Sequence, residues 1–170
     1  RIEVKAISLE GGDVLNRGYG EKPNEPFVVG YTAAGVVTEV GTNVSTVSVG
    51  QRVTTLGGSG SHAEQRVVSP STCWPLPDSV DFEQGACIPV TCGTAHEGIF
   101  EFGSLQSDET LLVQGGAGGV GLVAIQLAKE IGATVYATAS SDERLANLAA
   151  FGLDEGCLLY TSPSPRDRSL

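Results

Sequence analysis

The stretch Leu111 to Lys129, LLVQGGAGGVGLVAIQLAK, constrains the fold more than any other: a short apolar strand enters a glycine turn that opens at once onto an amphipathic helix. Gly116, Gly118 and Gly121 fill the pattern G-x-G-x-x-G. There the first glycine permits a tight turn, the second lets backbone approach a pyrophosphate, and the third packs helix on strand. Main-chain N–H groups left free at the helix start make an anion site. With 23 glycines in 170 residues, spacing alone says little, so the surroundings decide between a cofactor turn and a merely structural one. Leu111, Leu112 and Val113 supply the strand, and Val120, Val123, Ala124, Leu127, Ala128 and Ile131 recur at helical spacing, which predicts one buried face. Strand, turn and helix coincide. Cofactor-binding backbone is therefore expected at Gly116, Ala117, Gly118, Gly119, Val120 and Gly121.

The same segment resembles the quinone oxidoreductase and zeta-crystallin signature of the zinc-independent medium-chain dehydrogenase/reductases. Asp108, Glu109, Leu112, Gly116, Ala117, Gly118, Gly119, Gly121, Gln126 and Lys129 occupy its specified positions. Upstream, Glu25-Pro26-Phe27-Val28-Val29-Gly30 is similar to the family's proline–glycine entry. Ala34-Gly35-Val36-Val37 with Val40-Gly41 is similar to its A-G-x-V-x-x-V-G run, and Val49-Gly50-Gln51-Arg52-Val53 to its G-D-R-V turn. The resemblance implies an α/β protein: a GroES-like β-barrel domain, truncated at its N-terminus, followed by the first part of a Rossmann doubly wound parallel sheet. The implied divisions are residues 1–80 (substrate domain), 81–104 (connecting helices), 105–156 (partial nucleotide domain) and 157–170 (a tail). Arg1 opens inside what the family uses as a strand, without an initiator methionine. Residues 157–167, CLLYTSPSPRD, resemble a translated transposase-type sequencing adapter; the alternative is a natural proline- and serine-rich disordered tail.

Local patterns agree with that division. Ile2 to Ser8 alternates as a half-buried strand, and Ala34–Val40, Arg52–Leu56 and Ala63–Val68 read as further strands separated by glycine turns. Paired glycines, Asn, Pro23 and Pro26 make residues 9–27 an expected loop. Asp81 and Gln84 fit a capping box for a helix running to Pro89, and Thr94–Phe102 reads as a second helix ended by Gly103. The nucleotide half continues with a strand over Thr134–Thr138 and a helix over Asp142–Phe151, a β-α-β-α unit with parallel pairing and a right-handed crossover.

The end of that second strand selects the cofactor. An NAD site places an acid there for the ribose hydroxyls, whereas a 2′-phosphate needs neutral or cationic groups. Ser140 stands at the family's acidic position, followed by Ser141 and by Arg144 one helical turn on, which points to NADPH. Alternatively Ser140 and Glu143 form a capping box. Asp142 and Glu143 argue against a phosphate unless they turn outward.

Related zinc alcohol dehydrogenases would carry a Cys near Glu10, a His-Glu pair after Gly30 and a Cys near Val90. Here stand Glu10, Tyr31-Thr32 and Val90, and the cysteines at 73, 87, 92 and 157 include no C-x-x-C pair. No metal is expected, and Cys92 reads as a small apolar residue. The resemblance implies hydride transfer from nicotinamide C4 to a quinone or α,β-unsaturated carbonyl, with Glu10, Asp13, Arg17 and Tyr31 as catalytic candidates and Thr94 on the cofactor side. Asp13 and Arg17 could instead fix a loop as a pair, and Tyr31 could be a core tyrosine. His62 reads as surface or packing, and His96 has no assigned role. The balance of 20 acidic against 10 basic residues, a net charge of −10, disfavours nucleic acid and anionic membrane. The implied partner is a small-molecule substrate, the full-length state a homodimer, and the location cytoplasmic. Three functions stay open: an NADPH-dependent, zinc-independent quinone or enone reductase; an enoyl-thioester reductase or alcohol dehydrogenase on the same scaffold; and a non-catalytic NADPH-binding protein.

Overall fold

The computed structural model describes residues 1–20 and 27–159. Pro23 of the expected loop, Glu25 and Pro26 of the expected entry run, and residues 160–167 of the adapter-like tail lie outside the described residues. The chain divides into two units, Arg1–Gly93 and Thr94–Leu170, a division that falls inside the segment read as connecting helices.

In the first unit the valine- and threonine-rich segments pair as one antiparallel sheet of β1 (Ile2–Ile7), β2 (Thr32–Val37), β3 (Arg52–Leu56), β4 (Gln65–Arg66) and β5 (Cys73–Pro75), ordered β4-β1-β2-β3-β5. Ile2 sits opposite both Val37 and Arg66, and a bulge interrupts β1 between Val4 and Ala6. Ile2, Val37, Val47, Val53 and Cys73 fill the core on one side. Ala34, Leu76 and Ala86 form a second cluster under helix α2 (Phe82–Cys87). The expected capping box is present: Gln84 N–H donates to Asp81 Oδ1 at 2.6 Å, and Asp81 N–H to Gln84 Oε1 at 3.3 Å.

Two expectations are corrected here. Residues Gly11–Tyr19 form a helix, α1, rather than a loop. Its glycines lower helix propensity, but Asp13 Oδ2 accepts the Glu10 N–H at 2.9 Å and closes the first turn, and Gly20 N–H returns to Asn16 O at the far end. None of its residues is buried, so side-chain contacts to other segments anchor it. Secondly, the helical backbone does not break at Pro89. A π-turn, Ile88–Cys92, follows α2 and leads into α3 (Gly93–His96) and a second π-turn, Glu97–Phe102, with Gly103 as the stop. The proline sits in the widened turn, where the extra residue moves the carbonyl four residues back away from its ring.

The second unit is a three-stranded parallel sheet, β6 (Thr110–Val113), β7 (Thr134–Ala139) and β8 (Glu155–Leu158), ordered β6-β7-β8. Helix α4 (Gly119–Glu130) joins the first pair of strands and α5 (Asp142–Leu148) the second. Gly121, Ala124, Ile125 and Ala128 form the buried face of α4. That face is rotated by about one residue from the expected set: Val120 is 41% exposed, while Ile125 is fully buried. Ile125, Val135 and Leu148 are the largest buried side chains of this unit, each worth about 1.5–3 kcal/mol of apolar burial. Strand β8 runs past Gly156, since Cys157 and Leu158 pair with Thr138 and Ala139. Among the described residues, no helix is long and apolar enough to cross a membrane.

Candidate functional site

Two candidate constellations stand out, one in each unit. In the second unit the chain leaves β6 through Gln114 and turns at Gly115, whose φ of +70° is the left-handed value that favours glycine. The tight-turn role read at Gly116 thus belongs to Gly115. Gly116 and Gly121 are required by space instead. A Cβ on Gly116 would stand 2.7 Å from Ala137 Cβ, and one on Gly121 would stand 2.6 Å from Gly115 O and 2.8 Å from Gly116 Cα. The turn is held to β7 by Gly115 N–H donating to Thr138 Oγ1 at 3.1 Å and Gly116 N–H to Thr138 O at 2.9 Å.

Helix α4 then begins at an N-cap, Gly118, that has no side chain to accept its first amides. Leu122 N–H is the first to bond back, to Gly118 O. Gly118 N–H donates to Gly115 O at 2.9 Å; Gly119 and Val120 are exposed and their amides precede the first bond of the helix, with the helix dipole behind them. These groups fit a pyrophosphate. At the end of β7, Ser140 and Arg144 are exposed and Ser141 is half-buried. The cap of α5 is Ser141, whose Oγ accepts the Arg144 N–H at 3.3 Å; the Ser140–Glu143 box does not form. Ser140 Oγ, the Ser141 hydroxyl proton and the Arg144 guanidinium fit an added 2′-phosphate. Thr94 is exposed on α3, and His96 is exposed with its ring edge-on to Phe100 at 5.1 Å.

The constellation of the first unit is built from side chains. Gly30, at φ +100°, takes the chain into β2, and the space a side chain would need there is filled by Ser61 Oγ and the His62 ring. Tyr31 follows. Its ring lies against Gly12 of α1, where a Cβ would approach Cε2 to 2.8 Å, and its hydroxyl oxygen accepts from Asn16 Nδ2 at 2.7 Å. That leaves the phenolic proton free to donate outward. Asp13, with its side chain 8% exposed, has Oδ2 on the Glu10 N–H and 4.0 Å from His62 Nε2. Glu10 Oε1 accepts from Ser8 Oγ at 2.7 Å.

Glu10 and Asp13 are therefore tied to each other, and Tyr31 meets the same helix at Gly12 and Asn16, whereas Arg17 projects from α1 exposed and without an ion-pair partner among the described residues. The alternative Asp13–Arg17 pair is not formed. His62, read as surface or packing, faces Asp13 with Nε2 buried and unbonded; the only local hint was a histidine in a glycine- and serine-rich loop. Asn16 and Arg66 were missed, and nothing in their neighbourhoods announces them. Cys92 is half-buried, and burial, then the neighbouring Cys87, pushes its thiol up from its ordinary value. Among the described residues, no three His, Cys, Asp or Glu side chains are grouped to hold a metal ion.

An antiparallel sheet bearing a polar cluster at Gly30–Tyr31, joined to a parallel βαβ unit with a phosphate-type glycine turn, defines the medium-chain dehydrogenase/reductase class. Residues 1–78 match the alcohol dehydrogenase GroES-like domain family. Quinone oxidoreductase-like protein 2 of Rattus norvegicus is 36% identical over 170 residues, covering 98% of this chain and 48% of that protein. The Escherichia coli quinone oxidoreductase solved in complex with NADPH superposes with a TM-score of 0.86 at 28% identity, over 98% of this chain and 52% of that one. The CurK enoyl reductase gives 0.84 at 28% identity, over 95% and 51%. The chain spans about half the length of these relatives. Its first 78 residues carry the alcohol dehydrogenase GroES-like domain, and over nearly its whole length the chain is similar to quinone oxidoreductases.

Proposed function

We propose that this chain is part of an NADPH-dependent, zinc-independent oxidoreductase that reduces a quinone or an α,β-unsaturated carbonyl. The observation that carries the reading is the exposed first turn of α4 at Gly119–Val120, begun at an N-cap without a side chain and followed at the end of β7 by hydroxyls and a guanidinium. Bound NADPH supplies the hydride, from nicotinamide C4 to an electron-poor carbon. The protein's task is to hold the coenzyme and to receive charge on the substrate oxygen. Amides of Ala117, Gly119, Val120 and Gly121 would hold the pyrophosphate, with Gly118, its own N–H on Gly115 O, letting it come close; Ser140, Ser141 and Arg144 would hold the 2′-phosphate, and Thr94 would border the cofactor. Tyr31 donates its phenolic hydrogen bond to the substrate oxygen, and Asn16 strengthens it by donating to the same phenol oxygen. Asp13 and Glu10, each tied to neighbouring groups, shape the polar wall beside it. The positions that hold zinc ligands in related dehydrogenases carry Glu10, Tyr31, Thr32 and Val90, a set that supports reduction without a Lewis acid.

The similarity to CurK enoyl reductase favours an enoyl-thioester reductase as the second reading. NADPH oxidation by the gene's full-length product, measured against quinones, enoyl thioesters and alcohols, separates them. Turnover with quinones is expected. Turnover only with thioesters or alcohols replaces the first reading by the second, and binding without turnover leaves a coenzyme-binding protein. A homodimer and a cytoplasmic location belong to the same proposal, checked by light scattering and by fractionation.

A further inference from the structure

Arg66 is 5% exposed, yet no carboxylate among the described residues pairs with it. Its guanidinium meets neutral acceptors only. Nη1 donates to Tyr31 O at 3.2 Å and to Thr55 Oγ1 at 3.0 Å, Nη2 donates to Ser59 O at 3.0 Å, and Nε is buried without a partner. Burial pulls the group below its ordinary value, but an arginine stays charged at neutral pH. A buried cation facing carbonyls is a costly way to fill space, and an apolar side chain of similar length serves packing better. The cost is explained by what the fork joins.

Segments 28–31 and 57–62 run side by side through main-chain bonds, Gly57 N–H to Tyr31 O, Gly60 N–H to Val28 O, Ser61 N–H to Gly30 O and His62 N–H to Val29 O. One segment presents Tyr31 and the other His62, which faces Asp13. Arg66 bonds to both segments. The planar fork fixes their spacing in a way that a single ammonium cannot.

We propose that Arg66 is a positioning residue: its guanidinium ties the Tyr31 backbone to the Ser59–His62 loop and so sets where the Tyr31 hydroxyl is offered to the substrate. The idea rests on the proposed function only for the word substrate; the clamp itself is testable without turnover.

Amide hydrogen exchange of this chain is compared among wild type, Arg66→Met and Arg66→Lys. In Arg66→Met, segments 28–31 and 57–62 are expected to exchange together about tenfold faster, with the amides of β1 to β3 unchanged and Arg66→Lys intermediate. Thr55→Val, which removes one acceptor and keeps the cation, gives a smaller change in the same segments and serves if Arg66→Met does not fold. In the full-length product, kcat for the acceptor is expected to fall roughly tenfold in Arg66→Met while KM for NADPH holds, with partial rescue by Arg66→Lys. Unchanged exchange in both segments, or an equal loss of protection across the whole sheet, overturns the clamp. So does a destabilised Arg66→Met that keeps wild-type kcat. If the wild-type product reduces no acceptor, the proposed function fails while the exchange arm still decides the role of Arg66.

Discussion

The candidate sites of the two units are made from different parts of the chain. In the parallel unit the site is main chain: amides at the start of α4, exposed because Gly118 brings no cap and because Gly121 lets the helix lie on the turn. In the antiparallel unit the site is side chain: Tyr31, Asp13 and His62 are brought together by α1, the start of β2 and the 57–62 loop. A main-chain site depends on the absence of atoms, and its residues are dictated locally. A side-chain site depends on where distant segments meet, so its residues can vary as long as the meeting is kept.

The comparison breaks most visibly at Gly121. Gly121→Val drives a side chain into Gly115 O and Gly116 Cα, and the overpacking is expected to cost about 3 kcal/mol. NADPH affinity should fall by more than roughly 100-fold, as read by urea unfolding and coenzyme fluorescence titration. A mild result would mean that the turn is not the coenzyme cradle. In the other unit Tyr31→Phe removes a donor and, with it, the oxygen that accepts from Asn16, at little change in volume. Stability should fall by about 1 kcal/mol, and kcat should drop about 100-fold with KM for NADPH unchanged, measured by urea unfolding and by steady-state kinetics on the full-length product.

A third substitution sharpens the choice of coenzyme. Ser140→Asp places an acid at the end of β7, where a 2′-phosphate is expected, and the NADPH-to-NADH preference in kcat/KM should fall about tenfold. An unchanged ratio would move the selecting contact elsewhere.

The smallest effect is a pH dependence confined to the parallel unit. Lys129 Nζ donates to both Asp154 oxygens, and Val135 N–H donates to Oδ2 at 2.7 Å. Hydrogen bonding from Lys129 first, then from Val135, holds the Asp154 carboxyl below its ordinary value of 3.8. A lowered folded value means that the added stability is full above the ordinary value and is lost as pH falls through the lowered one. Asp154→Asn should therefore reduce Tm at neutral pH and flatten the acid limb of the Tm-against-pH curve; two parallel curves would exclude the coupling.

Much of the parallel unit could be read in advance because its rules are local. The glycine turn, the strand before it and the helix after it follow from neighbours within a few residues, as does, in the antiparallel unit, the Asp81–Gln84 cap. Even there, Gly115 rather than Gly116 takes the left-handed backbone, because spacing marks the glycines without saying which one bears the turn. The α1 helix was hidden by its glycines, and it stands because Asp13 closes its first turn and Asn16 reaches Tyr31. Arg66 was hidden more deeply. At the end of β4 the chain buries Arg66 and leaves Val67, the next residue, 79% exposed, the reverse of what alternation between polar and apolar residues suggests. Its partners lie 35, 11 and 7 positions away, beyond any local pattern.

Gly30 carries one more implication. The room over its α-carbon is taken by a hydroxyl and an imidazole that arrive from the far end of the 57–62 loop. Adding or deleting a residue between Leu56 and Ser61 would slide both groups off that spot and open a void beside Tyr31. Insertions, which surface loops usually tolerate, should therefore be selected against in this loop, and changes at 30, 61 and 62 should be inherited as a set.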